Sequence, residues 1–258
     1  MVRVSIYNEK GGVGKTTLTA LMASFLAYSK GKKVCVLDFD YPSYHLLNLR
    51  RSELEIRKDP RSPLSSWLEA NPSSGDPYDI FSFPPGPGGR YSPLDVFTSI
   101  SNVFSDDYDY FFYDFPGLFT ESDPVSFLAA NGYIDFLAIP IDTDTQSRQS
   151  ALVVADAMSR QGIPLSLFWN RVSLTEAKGD GERFRRGAGP FYEYGFDVMD
   201  EKVRDIRKIS RDPSEIAFIR STLCFPERYV AKWSSSFIPF LEALKERIDS
   251  SCKAARNE

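Results

Sequence analysis

Apolar positions recur along this chain in two rhythms, and the places where the rhythm changes mark its elements. Val2–Asn8 alternates apolar and polar residues and is rich in β-branched side chains, which predicts a strand. Glu9–Thr17 interrupts the pattern with glycines. Leu18, Leu21, Met22, Phe25 and Leu26 then resume it at helical spacing, and Lys30-Gly31 stops the helix. Val34–Phe39 is a buried-strand run. Strand, glycine turn, helix and strand form a βαβ unit, which predicts a parallel sheet with right-handed crossovers. Tyr110–Asp114, Ile134–Pro140 and Pro164–Asn170 read as further strands, with a helix over Gln146–Gln161. Leu46 to Asn71 reads as helical with breaks at Pro60 and Pro63, Phe83–Gly89 as a surface loop, and Leu223–Pro226 as a short late strand. Phe237, Phe240, Leu241, Leu244 and Ile248 make one apolar stripe, expected to be a core-packing helix. The fold class expected is α/β: one domain, residues 1–258, with a doubly wound, mostly parallel sheet and its ligand at the carboxyl edge of the strands. A charged, glycine-containing stretch at about 171–219, with a second half (VMDEKVRDIRKI) that reads as helical, is expected as an insertion on that domain.

Composition narrows the function classes. Hydrophobic residues make up 42% and charged residues 26%, an ordinary globular balance. The formal net charge of −4 removes any strongly basic global field for nucleic acid. The charge is uneven, however. From Arg160 onward there are 18 Lys and Arg against 15 Asp and Glu, whereas the residues before it carry 13 against 20. An anionic polymer would therefore prefer the later part of the chain. Cys35, Cys224 and Cys252 have no metal-ligand spacing, and Cys35 and Cys224 read as small core residues. A reducing, cytoplasmic compartment is the expectation, since the first ten residues are too polar for a signal peptide and no apolar run reaches the ~18 residues of a membrane span.

Glu9-Lys10-Gly11-Gly12-Val13-Gly14-Lys15-Thr16-Thr17 carries the candidate chemistry. Glycines let successive backbone N–H groups curl around phosphate oxygens, and the helix that follows adds its positive N-terminal end. Lys15 is placed to reach the β- and γ-phosphates and the Thr16 hydroxyl to ligate Mg²⁺. Asp38 and Asp40 end the second strand at i and i+2, where carboxylates face the ligand crevice. Asp114 ends another strand, just before Phe115-Pro116-Gly117. Asp106, Asp107 and Asp109 read as a solvated turn, His45 as a surface residue, and Asp142 and Asp144 as weak candidates near the site.

The general P-loop pattern has glycine where this loop has Glu9, and a second lysine, Lys10, follows at once. With those departures NEKGGVGKTT resembles the deviant Walker A motif of the ParA/MinD superfamily of ATPases. The resemblance implies ATP and Mg²⁺ as cofactors, bound through Gly11, Gly12, Val13, Gly14, Lys15, Thr16 and Thr17. It implies that Lys10 contacts the nucleotide of a second subunit, so that the ATP-bound form is a homodimer. It assigns Asp38 to a Mg²⁺-bound water, Asp40 to the attacking water and Asp114 to the metal's outer shell. Lys10, Lys15 and Asp40 are thus the catalytic candidates, and Thr16, Asp38 and Asp114 the metal candidates. Asn170, before Arg171, resembles the family's adenine-reading Asn-Arg pair, and Pro226 lies where the family places a loop against the base. The family usually continues after the second aspartate with Pro-Gln or Ile-Gly. Here Tyr41-Pro42-Ser43 follows.

The stretch KGKKVCVLDFDYPSYHLLNLRRSELE is similar to the ParA-like proteins of conjugative transposons. That resemblance implies a slow, Mg²⁺-dependent ATPase switch in partitioning or conjugative transfer of a mobile DNA element, with an unidentified partner protein that stimulates hydrolysis. Non-specific DNA contact is a further expectation, resting on Arg183, Arg185 and Arg186 and on Arg204, Arg207, Lys208 and Arg211 along one helix face. A MinD-like basic amphipathic end is not seen in Asp249–Glu258, so no stable membrane anchor is expected. The rival reading is an ATP-dependent carboxylate ligase of the dethiobiotin-synthetase type.

Overall fold

In the computed structural model of the chain, six parallel strands form one sheet. The structure describes residues 1–71, 76–86, 92–103, 107–117, 124–172, 181–205, 219–227, 230 and 237–257. The strands are β1 (Val2–Ile6), β2 (Val34–Asp38), β3 (Asp79–Ser82), β4 (Tyr110–Asp114), β5 (Phe136–Ile141) and β6 (Leu165–Trp169), in the spatial order β3-β2-β4-β1-β5-β6. The helices are α1 (Lys15–Ser24), α2 (His45–Ile56), α3 (Pro63–Ala70), α4 (Pro93–Val103), α5 (Pro124–Ala130), α6 (Thr145–Arg160), α7 (Gly181–Glu193) and α8 (Phe237–Asn257).

Alternation along the strands separates two cores. Val34, Val36, Tyr110 and Phe112 face one side, where α1 and α8 supply Leu18, Leu21, Met22, Phe240, Leu241 and Leu244. Cys35, Leu37, Phe111 and Tyr113 face the other, with Val96 of α4, Leu128 of α5, Ala151 and Ala155 of α6 and Phe184 of α7. Both faces are buried, which is why β2 and β4 read as unbroken apolar runs. The stripe Phe237–Ile248 is a core helix, as expected, and all three cysteines are buried and none forms a disulfide. Among the described residues no helix is long and apolar enough to cross a membrane.

Four elements were not anticipated: β3, α4, α5 and α7. Two readings are corrected. Leu223–Pro226 forms no strand but a buried loop, in which Leu223 and Cys224 pack against Leu64 of α3. Residues 198–205, expected to be helical, run extended beside β6 instead: Val198 bridges Leu167, Arg204 bridges Val172, and the Val203 amide donates to the Trp169 carbonyl at 2.8 Å. Pairing with an open strand edge here outweighs local helix propensity. The proposed basic helix face therefore loses Arg204, while Arg207, Lys208 and Arg211 lie outside the described residues. The 171–219 stretch is also more integral than a surface excursion, since Val172, Phe184, Ala188, Phe191, Val198, Met199 and Val203 join the two cores.

Candidate nucleotide site

The sheet's carboxyl edge places every strand-end candidate on one side. β1 runs directly into the glycine loop, whose curl depends on left-handed backbone at Gly12 (φ +76°) and Gly14 (φ +93°). Gly14 also sits where a Cβ would come within 2.6 Å of the Asn170 amide. The loop is anchored from outside. Asn8, fully buried, donates to the Pro140 carbonyl at 2.9 Å and accepts from the Lys10 N–H (2.9 Å) and the Ser150 hydroxyl (2.7 Å). Arg171 donates to the Gly12 carbonyl at 2.8 Å, and Asn170 to the Val13 carbonyl at 2.6 Å.

A cavity of about 780 Å³ opens over this loop. Gly11, Gly12, Gly14, Lys15, Thr16, Thr17, Asp40, Gly117 and Asn170 line it, with Arg171, Arg204 and Asp205 also on its wall. Its size falls in the upper part of the range of roughly 300–1,000 Å³ that serves small-molecule sites. Val13 is turned into the protein, 1% exposed, and takes part through its backbone.

Lys15 is nearly buried and its ammonium donates to the Lys10 carbonyl at 3.2 Å. Burial lowers its pKa, against the pull of Asp114 and Asp40. Lys10 points the other way, to the Gln146 side chain at 2.6 Å and toward Asp144 at 3.8 Å on the first turn of α6. Gly117, from the segment after β4, presses on the cradle. A Cβ there would lie 2.8 Å from the Glu9 carbonyl and 3.1 Å from the Lys15 ammonium.

The carboxylates divide by environment. Asp38 and Asp114 are register partners on adjacent strands, and both are fully buried. Asp38 accepts from the Asp40 N–H at 3.1 Å and from the Leu46 and Leu47 amides at 2.9 and 3.1 Å, so its side chain caps α2. Asp114 has no hydrogen-bond partner of good geometry on either oxygen. Burial first, and then Asp38, raises its pKa well above the usual carboxylate range, while Thr16 and Lys15 oppose the shift. An orphaned buried carboxylate beside a threonine hydroxyl and a phosphate-binding lysine fits a Mg²⁺ site. Thr16 and Asp114 are the residues that would serve it. Asp40 lies on the cavity wall, in contact with His45 Nδ1.

One expectation about the base needs revision in place. Pro226 is not on the wall of this cavity. Its neighbour Phe225 packs edge-on against Phe25 just past the end of α1, about 15 Å along that helix from the loop at 1.5 Å per residue. The cavity wall that Pro226 was expected to supply is made by Arg204 and Asp205, carried there by the extended segment beside β6. Asn8 and His45 were the other functional neighbours the sequence did not reveal. Asn8 opens the NEKGGVGKTT stretch, but its anchoring partners lie on β5 and α6, and the contact of His45 depends on where α2 starts.

A strand, a glycine cradle and a helix under two acidic strand ends are the parts of a nucleotide-binding protein of the P-loop class. The chain belongs to the CobQ/CobB/MinD/ParA nucleotide-binding domain family, whose model matches residues 4–219. No curated protein matches it in sequence. Among solved structures it is similar in fold to MinD in the MinC:MinD cell division complex of Aquifex aeolicus (17% identity, TM-score 0.55, covering 100% of this chain and 97% of that one). It is likewise similar to an ATP complex of a McdA variant from Cyanothece (16%, 0.55, 96% and 96%). A plasmid partition protein from Borrelia burgdorferi also matches (17%, 0.51, 90% and 98%).

Proposed function

We propose that the chain is a ParA-like, Mg²⁺-dependent ATPase that dimerises with ATP bound, hydrolyses it slowly to ADP and phosphate, and serves the partitioning or conjugative transfer of a mobile DNA element. One observation carries this reading: two lysines flank a single phosphate cradle, Lys15 inside it and Lys10 on its rim. Lys15 neutralises the transferring phosphate from within the subunit. Lys10, whose ammonium meets the Gln146 side chain and Asp144 among the described residues, can be redirected to a second subunit's nucleotide, as an arginine finger would be. When bound, Mg²⁺ draws off charge from the phosphate oxygens. Thr16 and Asp114 hold it, with Asp38 behind them, and Asp40 orients the attacking water. Asn170 reads the base alongside Arg204 and Asp205.

The partition protein and the MinC:MinD complex among the similar structures support a switch with a protein partner. They do not favour the ligase alternative. The basic bias of the later part of the chain supports non-specific DNA contact, and three buried cysteines without a disulfide suit a cytoplasmic setting.

The test is self-association and DNA retention with ATP, ADP or no nucleotide, for wild type, Lys10→Ala and Lys15→Ala. ATP is expected to drive both in wild type, Lys15→Ala to lose nucleotide binding, and Lys10→Ala to bind ATP without productive dimerisation. A wild type in which ATP drives neither dimerisation nor DNA binding would remove the basis of the switch reading. ADP release stimulated by a carboxylate substrate without DNA would favour the ligase.

A further inference from the structure

We infer that His45, the chain's single histidine, is a positioning residue that fixes the carboxylate of Asp40 toward the reacting phosphate. The inference rests on the ATPase reading above, in which Asp40 orients water, and adds a residue to it. Asp40 stands on the cavity wall in a short loop between β2 and α2. Its backbone is held at both ends: its N–H donates to Asp38 Oδ1 at 3.1 Å, and its carbonyl accepts from the Tyr44 N–H at 2.7 Å. Its side chain has one recorded contact among the described residues, from Oδ2 to His45 Nδ1. Without that contact the carboxylate turns freely about its own χ angles. With it, Oδ2 is fixed and Oδ1 is left for a water.

The geometry behind the contact is not accidental to one side chain. Asp38 caps α2 through the Leu46 and Leu47 amides, which sets where the helix begins, and His45 is its first residue. The position of the imidazole thus follows from the end of β2. His45 shares the cavity wall with Lys15, Thr16 and Gly117. The charged groups acting on this corner are Asp38 beside Asp40, Lys15 from the glycine loop and Asp114 from β4. The His45 side chain is 64% exposed, which is why its sequence context reads as surface. An exposed pair of this kind adds little stability, so its consequence is orientation.

The experiment uses the full chain and measures steady-state ATP hydrolysis for wild type, His45→Leu and His45→Asn, each also in an Asp40→Asn background. The asparagine amide stands roughly where Nδ1 does. His45→Leu is expected to lower kcat by roughly 10- to 100-fold with KM and ATP-driven dimerisation unchanged. His45→Asn restores most of the rate, and in the Asp40→Asn background His45→Leu costs nothing further. A wild-type rate in His45→Leu overturns the inference. So does an Asn variant as slow as the Leu variant, or an equal loss in both backgrounds. A second readout needs no turnover. One histidine gives one set of imidazole resonances, and their chemical shifts in the nucleotide-free protein should move on Asp40→Asn, because Asp40 Oδ2 is the contact of the ring's Nδ1. A resonance indifferent to Asp40→Asn overturns the positioning role alone. A wild type that hydrolyses no ATP overturns the ATPase reading and the positioning role with it.

Discussion

Asp114 illustrates what a residue here gives up in order to be useful. It is 0% exposed, adjoins Asp38 across the sheet, and has no hydrogen-bond partner of good geometry on either oxygen among the described residues. Burial raises its pKa, so the folded protein holds that proton more tightly than the unfolded chain does. A carboxyl of this kind favours folding below its unfolded pKa, and that contribution is lost as pH rises through the folded value. Asp114→Asn is therefore expected to stabilise the nucleotide-free protein at neutral pH, and the gain should shrink toward about pH 4. At roughly 2–4 °C per kcal/mol for a chain of this size, thermal melts at two pH values resolve it. The same variant should lose the extra stabilisation that Mg²⁺ adds to ATP. That Lys15, Thr16 and the glycines meet on one cavity wall was legible because they lie within one nine-residue loop. Asn8 was not, since its partner carbonyl is 132 residues away. The contact of His45 with Asp40 was not legible either, because it depends on where α2 starts.

At the scale of elements, the buried strands declared themselves and the edges did not. β2, β4, β5 and β6 have apolar residues on both faces, a pattern that survives any error in the helices between them. β3 is a four-residue edge strand with alternating exposed positions, too short and polar to separate from loop. The segment 198–205 went wrong in the opposite sense, since its helical spacing was real but a strand edge captured it. Helix α2 is fastened at its far end by Arg50, which donates to the Thr222 hydroxyl and carbonyl, both at 2.8 Å, and to the Tyr78 carbonyl at 3.0 Å. Glu53 accepts from the Thr222 N–H at 2.9 Å on the same turn. Arg50→Ala is expected to cost about 2–4 kcal/mol in urea unfolding, because it strips three charge-assisted bonds and leaves the buried Glu53 without its nearby cation.

For the whole molecule, the doubly wound plan was readable from the order of strands and helices alone, because parallel strands with right-handed crossovers leave few other arrangements. The plan also collects residues from β1, β2, β4 and β6 at one edge, which makes ligand binding a global stabiliser. Mg-ATP at about 100 times its Kd should raise wild-type stability by about 2.7 kcal/mol, visible as a concentration-dependent Tm. Lys10→Ala should keep that shift when the protein is dilute, and Lys15→Ala should lose it. Asp38 adds a property of a different kind. One carboxylate both ends β2 and starts α2, so two backbone amides, those of Leu46 and Leu47, are bonded only while that side chain keeps its present direction. Their hydrogen–deuterium exchange is a clock wired to the phosphate site. If a metal or a nucleotide draws Asp38 aside, those two amides will lose protection first, and the protein will report its own loaded state without a label.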